Sequence, residues 1–354
     1  MQRLFRWKGV LFNTMELSRE KCFSNQIIFV SGMNGSGKTL FSKILSSFDR
    51  VELMSLSVEL EMLCLFHTLK KVSKDDTEVM VRYFMDLKAY NTMMSRDLNF
   101  RLDDATSALN YHNPEIYLER LASPGGPSTE ELIERKMPVL NIALHNGSSY
   151  FDVILSALQD RARIVEVVRH PLTMIDQQAY QLATCSTKRG FTPCYKYNGV
   201  ELPYHAFGME DLYIKSNDYE RAILFSEKYI KEDNVIRRDI ISKYGNDRLL
   251  TIPFEKFVTN PEKRIRKLEL FLNLSKTSVT NSTLEEENVP RKLILDVPYH
   301  SSYERYGYKE MKAKITNRQL LDLKRSEIES KVSGYFLDIL DKLVEDYERY
   351  FWRP

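Results

Sequence analysis

The sequence predicts an α/β fold in which a parallel sheet of about five strands is flanked by helices. Short apolar runs that are typical of buried strands occur at residues 26–30, 137–145, 162–169 and 249–252. Segments with the spacing of amphipathic helices separate these runs. Strands that alternate with helices in this way form parallel sheets with helices on both faces.

The first strand leads into a motif that fits a phosphate-binding loop. Gln26 to Val30 is followed by Gly32-Met-Asn-Gly-Ser-Gly37-Lys38-Thr39, a complete G-x-x-x-x-G-K-T pattern, and then by helical spacing over residues 38–48. A strand, this loop and a helix in that order are the context that the motif requires. The backbone N–H groups and the helix N-terminus then bind an anion. The sequence therefore predicts a P-loop-type sheet, with the expected anion ligands Gly35, Ser36, Gly37, Lys38, Thr39 and Leu40.

The rest of the chain is assigned around this sheet, as one α/β domain over residues 1–354. Residues 51–135 are predicted to be a helical insertion that ends in a Pro- and Gly-rich loop. Residues 184–217 are loop-like, as a substrate lid would be. Residues 316–354 are predicted to form a C-terminal helical extension, with an interruption at Gly334.

Two further residues are expected close to the loop. His145 and Arg169 end the second and third predicted strands, and ligands of such sheets bind beyond the carboxyl ends of the strands. A phosphoryl-transfer enzyme needs a carboxylate at such a strand end to hold its metal ion. The cationic Arg169 favours a second anion there instead, so no metal site is predicted.

Composition excludes some classes of function. The chain has 51 basic and 49 acidic residues, and a net charge of +2 gives no overall case for nucleic-acid binding. No apolar stretch approaches the length of a membrane span, and residues 1–12 do not resemble a signal peptide; they favour a capping strand or a weak surface-binding segment. The 4 scattered cysteines fit reduced thiols, so a cytoplasmic protein is expected.

Three segments together resemble the sulfotransferases that use 3′-phosphoadenosine-5′-phosphosulfate (PAPS). VSGMNGSGKTLFSKIL resembles their 5′-phosphosulfate loop, RARIVEVVRHPLTMIDQQAY their strand that grips the 3′-phosphate, and DRLLTIPFEKFVTNPEKRIRKLELFLNL a later, mainly structural block. The resemblance implies that Lys38 and Thr39 contact the phosphosulfate and that Arg169 binds the 3′-phosphate. It also implies a metal-free in-line transfer that leaves 3′-phosphoadenosine-5′-phosphate (PAP).

The sequence departs from this family at several positions. Ser36-Gly37-Lys38-Thr39 replaces the usual Ser-Gly-Thr-Thr, and Gln177 stands where a phosphate-binding Ser is usual. An amide can still donate a hydrogen bond to phosphate. Asp176 would have to face away from the anion. The usual C-terminal Arg-Lys-Gly loop is not matched. Arg291-Lys292 lacks the glycine, and Lys188-Arg189-Gly190 lies elsewhere in the chain. Either group could close over the donor or could be a plain surface charge.

A base must accept the proton of the acceptor hydroxyl. His145 resembles the catalytic histidine of cytosolic sulfotransferases in position, and an imidazole is suited to this task. A carboxylate after the loop helix, Glu59 or Glu52, is the alternative. His170 should point to the other side of the chain.

The predicted function is transfer of a sulfuryl group from PAPS to a hydroxyl of an acceptor that the sequence does not identify. The acceptor is a small molecule, a sugar or a peptide, and a homodimer is left open. Two alternatives are kept. One is a Mg²⁺-dependent kinase or NTPase, which the Lys38-Thr39 pair favours, and the other is a non-catalytic nucleotide-binding protein.

Overall fold

The computed structural model describes residues 16–102, 104, 106–145, 147–188, 192–295 and 315–352. Within these residues seven strands form two sheets. The strands are β1 (Ile27–Ser31), β2 (Val51–Leu56), β3 (Val139–Ala143), β4 (Ala162–Val168), β5 (Cys194–Tyr197), β6 (Val200–Pro203) and β7 (Leu249–Pro253). The predicted segment 1–12 lies outside the described residues.

The central sheet has five strands in the order β2-β3-β1-β4-β7, and every neighbouring pair is parallel. This confirms the predicted fold class. All residues of β1 and β3 are buried, as expected for a parallel sheet that is covered on both faces. Alternate β1 residues pack into two cores, with Ile27 and Phe29 on one face and Ile28 and Val30 on the other.

Helices cover both faces of the sheet and extend from it. In chain order they are α1 (Lys38–Leu45), α2 (Val58–Thr68), α3 (Lys74–Met93), α4 (Pro114–Ala122), α5 (Pro127–Lys136), α6 (Phe151–Leu158), α7 (Ile175–Lys188), α8 (Glu210–Lys215), α9 (Asp218–Tyr244), α10 (Phe254–Thr259), α11 (Pro261–Leu272), α12 (Thr280–Glu286), α13 (Asn317–Glu329) and α14 (Gly334–Tyr347). None of the described helices is long and apolar enough to cross a membrane.

The structure differs from the sequence prediction at β2. Residues 51–56 were expected at the start of a helical insertion, but they form an edge strand that pairs with β3. The run VELMSL has apolar residues at spacings that fit either a helix or a strand, and short apolar runs are ambiguous in this way. β2 supplies the fifth strand of the sheet. The remainder of the insertion, through α2 to α5, is largely helical as predicted.

The segment predicted as a lid and the C-terminal extension also contain regular structure. Within residues 184–217, β5 and β6 form an antiparallel hairpin and α8 follows it. The C-terminal extension is helical, and Gly334 begins α14 after a break from α13. Leu320 of α13 and Leu340 of α14 pack on Ile175 and Ile223, so the extension covers α7 and α9.

Candidate active site

The Gly-rich loop is held in shape by packing from α10. Gly37 has a φ of 95°, in the left-handed region that favours glycine. A Cβ atom at Gly37 would lie 2.3 Å from Cε2 of Phe254, so a side chain there would displace either the ring or the loop. Phe254 begins α10 and lies within the block that the sequence analysis described as mainly structural. Its ring therefore sets how the loop enters α1.

Lys38 lies at the centre of this loop. Its Nζ donates hydrogen bonds to the carbonyl oxygens of Gly32, at 2.7 Å, and Met33, at 2.9 Å. The side chain is buried. Burial lowers the pKa of Lys38 to about 8, against the attraction of the Glu61 carboxylate. An anion in the loop would give this ammonium a charged partner in place of two neutral carbonyl groups.

The other predicted loop ligands differ in accessibility. Thr39 is exposed, so its hydroxyl can reach a ligand. Ser36 Oγ is buried and has no hydrogen-bond partner among the described residues. Leu40 packs its side chain into the core beneath the loop, so only its backbone N–H is suited to bind an anion.

Arg169 lies against the same loop, as its position at the end of β4 predicts. One terminal nitrogen donates to the carbonyl oxygen of Gly35 at 2.7 Å, and the guanidinium stacks 4.3 Å from the centre of the Phe254 ring. Its Nε is buried with no hydrogen-bond partner among the described residues. The stacking fixes the plane of the guanidinium, which leaves Nε as a donor for a further anion.

Three residues near Arg169 have the positions that the sequence analysis expected. Gln177 also lies at the loop, because its Oε1 is 3.1 Å from the position of a Cβ on Gly35. Asp176 faces away and pairs with Lys324 of α13 at 3.0 Å. His170 is buried against the C-terminal helices, and burial lowers its pKa to about 3.

Of the two basic groups that were left open, one is brought to the site. The Arg291 guanidinium is buried 5.8 Å from the centre of the Phe254 ring. It donates to the carbonyl oxygens of Asn288 and Glu287, both at 3.1 Å. Arg169 and Arg291 thus contact one aromatic ring. Residues 189 and 190 of the other group lie outside the described residues.

His145 follows β3 and is paired with a carboxylate that the sequence analysis missed. Oε1 of Glu61, on α2, accepts the backbone N–H of His145 at 3.1 Å, and Nδ1 of the same histidine lies 3.1 Å from this oxygen. The imidazole is 45% exposed and the Glu61 side chain 12% exposed. The two form a hydrogen-bonded pair at the same edge of the sheet as Lys38.

Neither carboxylate named as an alternative base takes this position. Glu52 is near the amino end of β2, away from the loop, where it forms a buried two-bond ion pair with Arg120 at 2.7 and 2.9 Å. Glu59 is exposed on α2 and attracts Lys88. Glu59 and Glu61 are two positions apart, so they lie on different faces of the helix.

A model of the sulfotransferase family matches residues 27–278 of the chain. The chain belongs to the sulfotransferase family. Family membership confirms the predicted class of enzyme and the predicted use of PAPS as the sulfuryl donor. The metal-dependent kinase and the non-catalytic protein are set aside as alternatives.

The similarity of this sulfotransferase to individual proteins is low. No curated protein matches it. Among solved structures it is similar to the sulfotransferase domain of the Synechococcus PCC 7002 olefin synthase, at 16% identity over 94% of this chain and 98% of that chain, with a TM-score of 0.41. The sulfotransferase domain from the curacin biosynthetic pathway is 15% identical, with coverages of 90% and 97% and a TM-score of 0.43. A mouse sulfotransferase complexed with PAP is 12% identical, with coverages of 90% and 89% and a TM-score of 0.32. Membership of the family rests on the match over residues 27–278.

Proposed function

We propose that this sulfotransferase transfers the sulfuryl group in line to an acceptor hydroxyl, with Lys38 on the leaving phosphate, Arg169 on the 3′-phosphate and His145 as the base. The observation that carries the proposal is the convergence of the ends of β1, β3 and β4. The hydrogen bond from Arg169 to the Gly35 carbonyl joins the two anion-binding groups. His145 follows β3, the strand on the other side of β1 from β4.

The chemical step assigns one task to each group. The acceptor oxygen forms a bond to sulfur while its proton passes to the His145 imidazole. The bond between sulfur and the 5′-phosphate oxygen breaks, and its electron pair stays on that oxygen. Lys38 and the loop N–H groups stabilise the negative charge that develops there. Gly35, Ser36, Gly37, Thr39 and the backbone of Leu40 complete the loop, and Gln177 assists Arg169.

The acceptor is proposed to enter between α2 and the segment 184–217. Tyr204 of that segment lies close to Tyr150, which follows His145, and its hydroxyl is 3.4 Å from that of Tyr229 on α9. Burial raises the pKa of Tyr204 and Tyr229, so both stay neutral hydrogen-bonding hydroxyls. These contacts, together with the electrostatic effect of Glu61 on Tyr204, support a role of the segment as a lid.

A substitution at His145 tests the proposal. His145→Ala should lower kcat about 10²- to 10⁴-fold, the usual contribution of a general base, with the Kd for PAP changed less than about twofold. His112→Ala is the matched control, since His112 lies on the loop before α4 and should retain full activity. Full activity of His145→Ala would refute the assignment of the base.

Calorimetry tests the donor site separately. Tight binding of PAP in EDTA, and weaker binding of ATP with Mg²⁺, is expected if Arg169 selects a 3′-phosphate. Preference for ATP with Mg²⁺ would contradict the proposed site.

The location of the protein, the class of its acceptor and its oligomeric state can each be tested. We place the protein in the cytosol, because the described cysteines Cys22, Cys64 and Cys194 are free thiols; fractionation of cells that produce it checks this. We propose an acceptor that is a small molecule, a sugar or a peptide, which a panel of labelled hydroxyl acceptors separates. A homodimer is checked by light scattering.

A further inference from the structure

The carboxylate of Glu61 occupies a position that links the proposed base to the proposed anion site. α2 begins directly after β2, at the carboxyl edge of the sheet. The buried side of α2 contacts the end of β3 through Glu61. Leu60, Cys64 and Leu65 of this face are buried in the core. Glu61 is held beside them, with its Oε1 on His145 and its charge attracting Lys38.

The hydrogen bonds of Oε1 determine which imidazole nitrogen carries the proton. The backbone N–H of His145 is always a donor, so Oε1 accepts there. A carboxylate can only accept hydrogen bonds. Nδ1 must therefore donate to the same oxygen. The neutral imidazole then has its lone pair on Nε2.

The arrangement is that of a base oriented by a third group. A buried carboxylate on one ring nitrogen holds an imidazole in one tautomer and stabilises the imidazolium that forms on proton transfer. Because the backbone N–H and the ring N–H of His145 bind one oxygen, the residue is fixed at both its main chain and its side chain. The half-exposed ring can still reach an acceptor.

We propose that Glu61 is a positioning residue, which holds His145 with the proton on Nδ1 so that Nε2 accepts the proton of the acceptor hydroxyl. The inference rests on the proposed function for its role in catalysis. The tautomer itself is a property of the free protein and can be measured without any reaction.

Nitrogen NMR of protein labelled with ¹⁵N-histidine reads the tautomer directly. The chain has 6 histidines, and the signal of His145 is identified by its loss in His145→Ala. The neutral wild-type ring should show a protonated Nδ1 and an unprotonated Nε2, and Glu61→Gln should show a mixture of tautomers. A wild-type ring with its proton on Nε2 would overturn the proposal.

A double-mutant cycle tests whether Glu61 acts through His145. Glu61→Gln should lower kcat about 10²-fold in the wild type, with the Kd for PAP changed less than about twofold. In the His145→Ala background the same change should alter the residual kcat less than about threefold, because residues that act as a unit are not additive. An undiminished effect of Glu61→Gln in that background would overturn the proposal.

Glu59→Gln is the matched control. It removes the same charge from the exposed face of α2, and it should leave both the tautomer and kcat unchanged. Retained binding of PAP shows that Glu61→Gln is folded. If the wild type transfers no sulfuryl group but shows the Nδ1–H tautomer, the proposed function fails while the assigned role of Glu61 in holding His145 stands.

Discussion

The buried Lys38 ammonium makes the affinity for PAP depend on pH in a predictable direction. Burial lowers the pKa of Lys38 to about 8 in the free protein, whereas a bound phosphate dianion favours the charged form and raises that pKa. The free protein therefore loses the Lys38 proton as the pH rises above 8 and must regain it on binding. Between pH 7.5 and pH 9.0 the Kd for PAP should rise about eightfold, or about 1.2 kcal/mol, if the bound pKa lies above 10.

Isothermal titration calorimetry at these two pH values, in two buffers of different ionisation enthalpy, counts the protons. Uptake should be about 0.2 proton per PAP at pH 7.5 and about 0.9 at pH 9.0. The phosphates of PAP are already ionised throughout this range. Lys38→Arg should bind PAP without proton uptake and with the same affinity at both pH values, because arginine stays charged. Thr39→Val keeps the lysine, so it should keep both the proton uptake and the pH dependence of the affinity. Binding without proton uptake at pH 9.0 would refute the placement of Lys38 on the phosphate.

Three other substitutions have defined outcomes. Arg169→Lys should weaken PAP binding about 10- to 100-fold through the lost charged hydrogen bonds, yet leave adenosine 5′-phosphosulfate, which has no 3′-phosphate, bound as before; equal losses for both ligands would contradict the assignment. Gly37→Ala should destabilise the fold by about 2–4 kcal/mol in urea unfolding, through the positive φ and the clash with Phe254, whereas Gly199→Ala, also at positive φ but with open space, should cost only about 1 kcal/mol. Glu52→Gln should lower the free energy of unfolding by about 3–5 kcal/mol, since it breaks a buried ion pair, and leave kcat within about twofold; a large loss of kcat in folded protein would restore Glu52 as a candidate base.

The sequence was sufficient to predict the phosphate-binding loop and the positions of His145 and Arg169 beside it. Parallel strands bring their carboxyl ends to one edge, so naming the strands also placed His145 and Arg169 beside the loop. The contact of Arg169 with the Gly35 carbonyl follows from that topology, because β4 pairs with β1. Local patterns were decisive here because the strands are mostly apolar and polar residues mark their ends.

The contacts that α2 and α10 make at the site could not be predicted from the sequence in the same way. Glu59 and Glu61 lie in one short run, VELEM, and only the direction of the helix relative to the sheet decides which carboxylate faces His145. A signal did exist, since Glu61 precedes Cys64 and Leu65 by three and four residues and so shares their buried face. This spacing identifies Glu61 as a site residue only if residues 51–56 are a strand that ends at the site. Phe254 is a comparable case, because contact with Gly37 joins residues far apart in the chain.

The same edge of the sheet also explains why a complete G-x-x-x-x-G-K-T loop serves an enzyme that was predicted to need no metal ion. A metal-dependent phosphoryl transferase uses a carboxylate on a neighbouring strand. In addition to Glu61, two carboxylates near this edge are engaged by protein donors. Glu166 of β4 accepts from Arg237 at 2.7 and 2.9 Å and from Thr251 at 2.7 Å. Glu255, after β7, accepts from the backbone N–H of His170 and from the Tyr347 hydroxyl, and burial raises its pKa. The group that remains directed at the loop from β4 is the guanidinium of Arg169, which complements an anion and repels a cation.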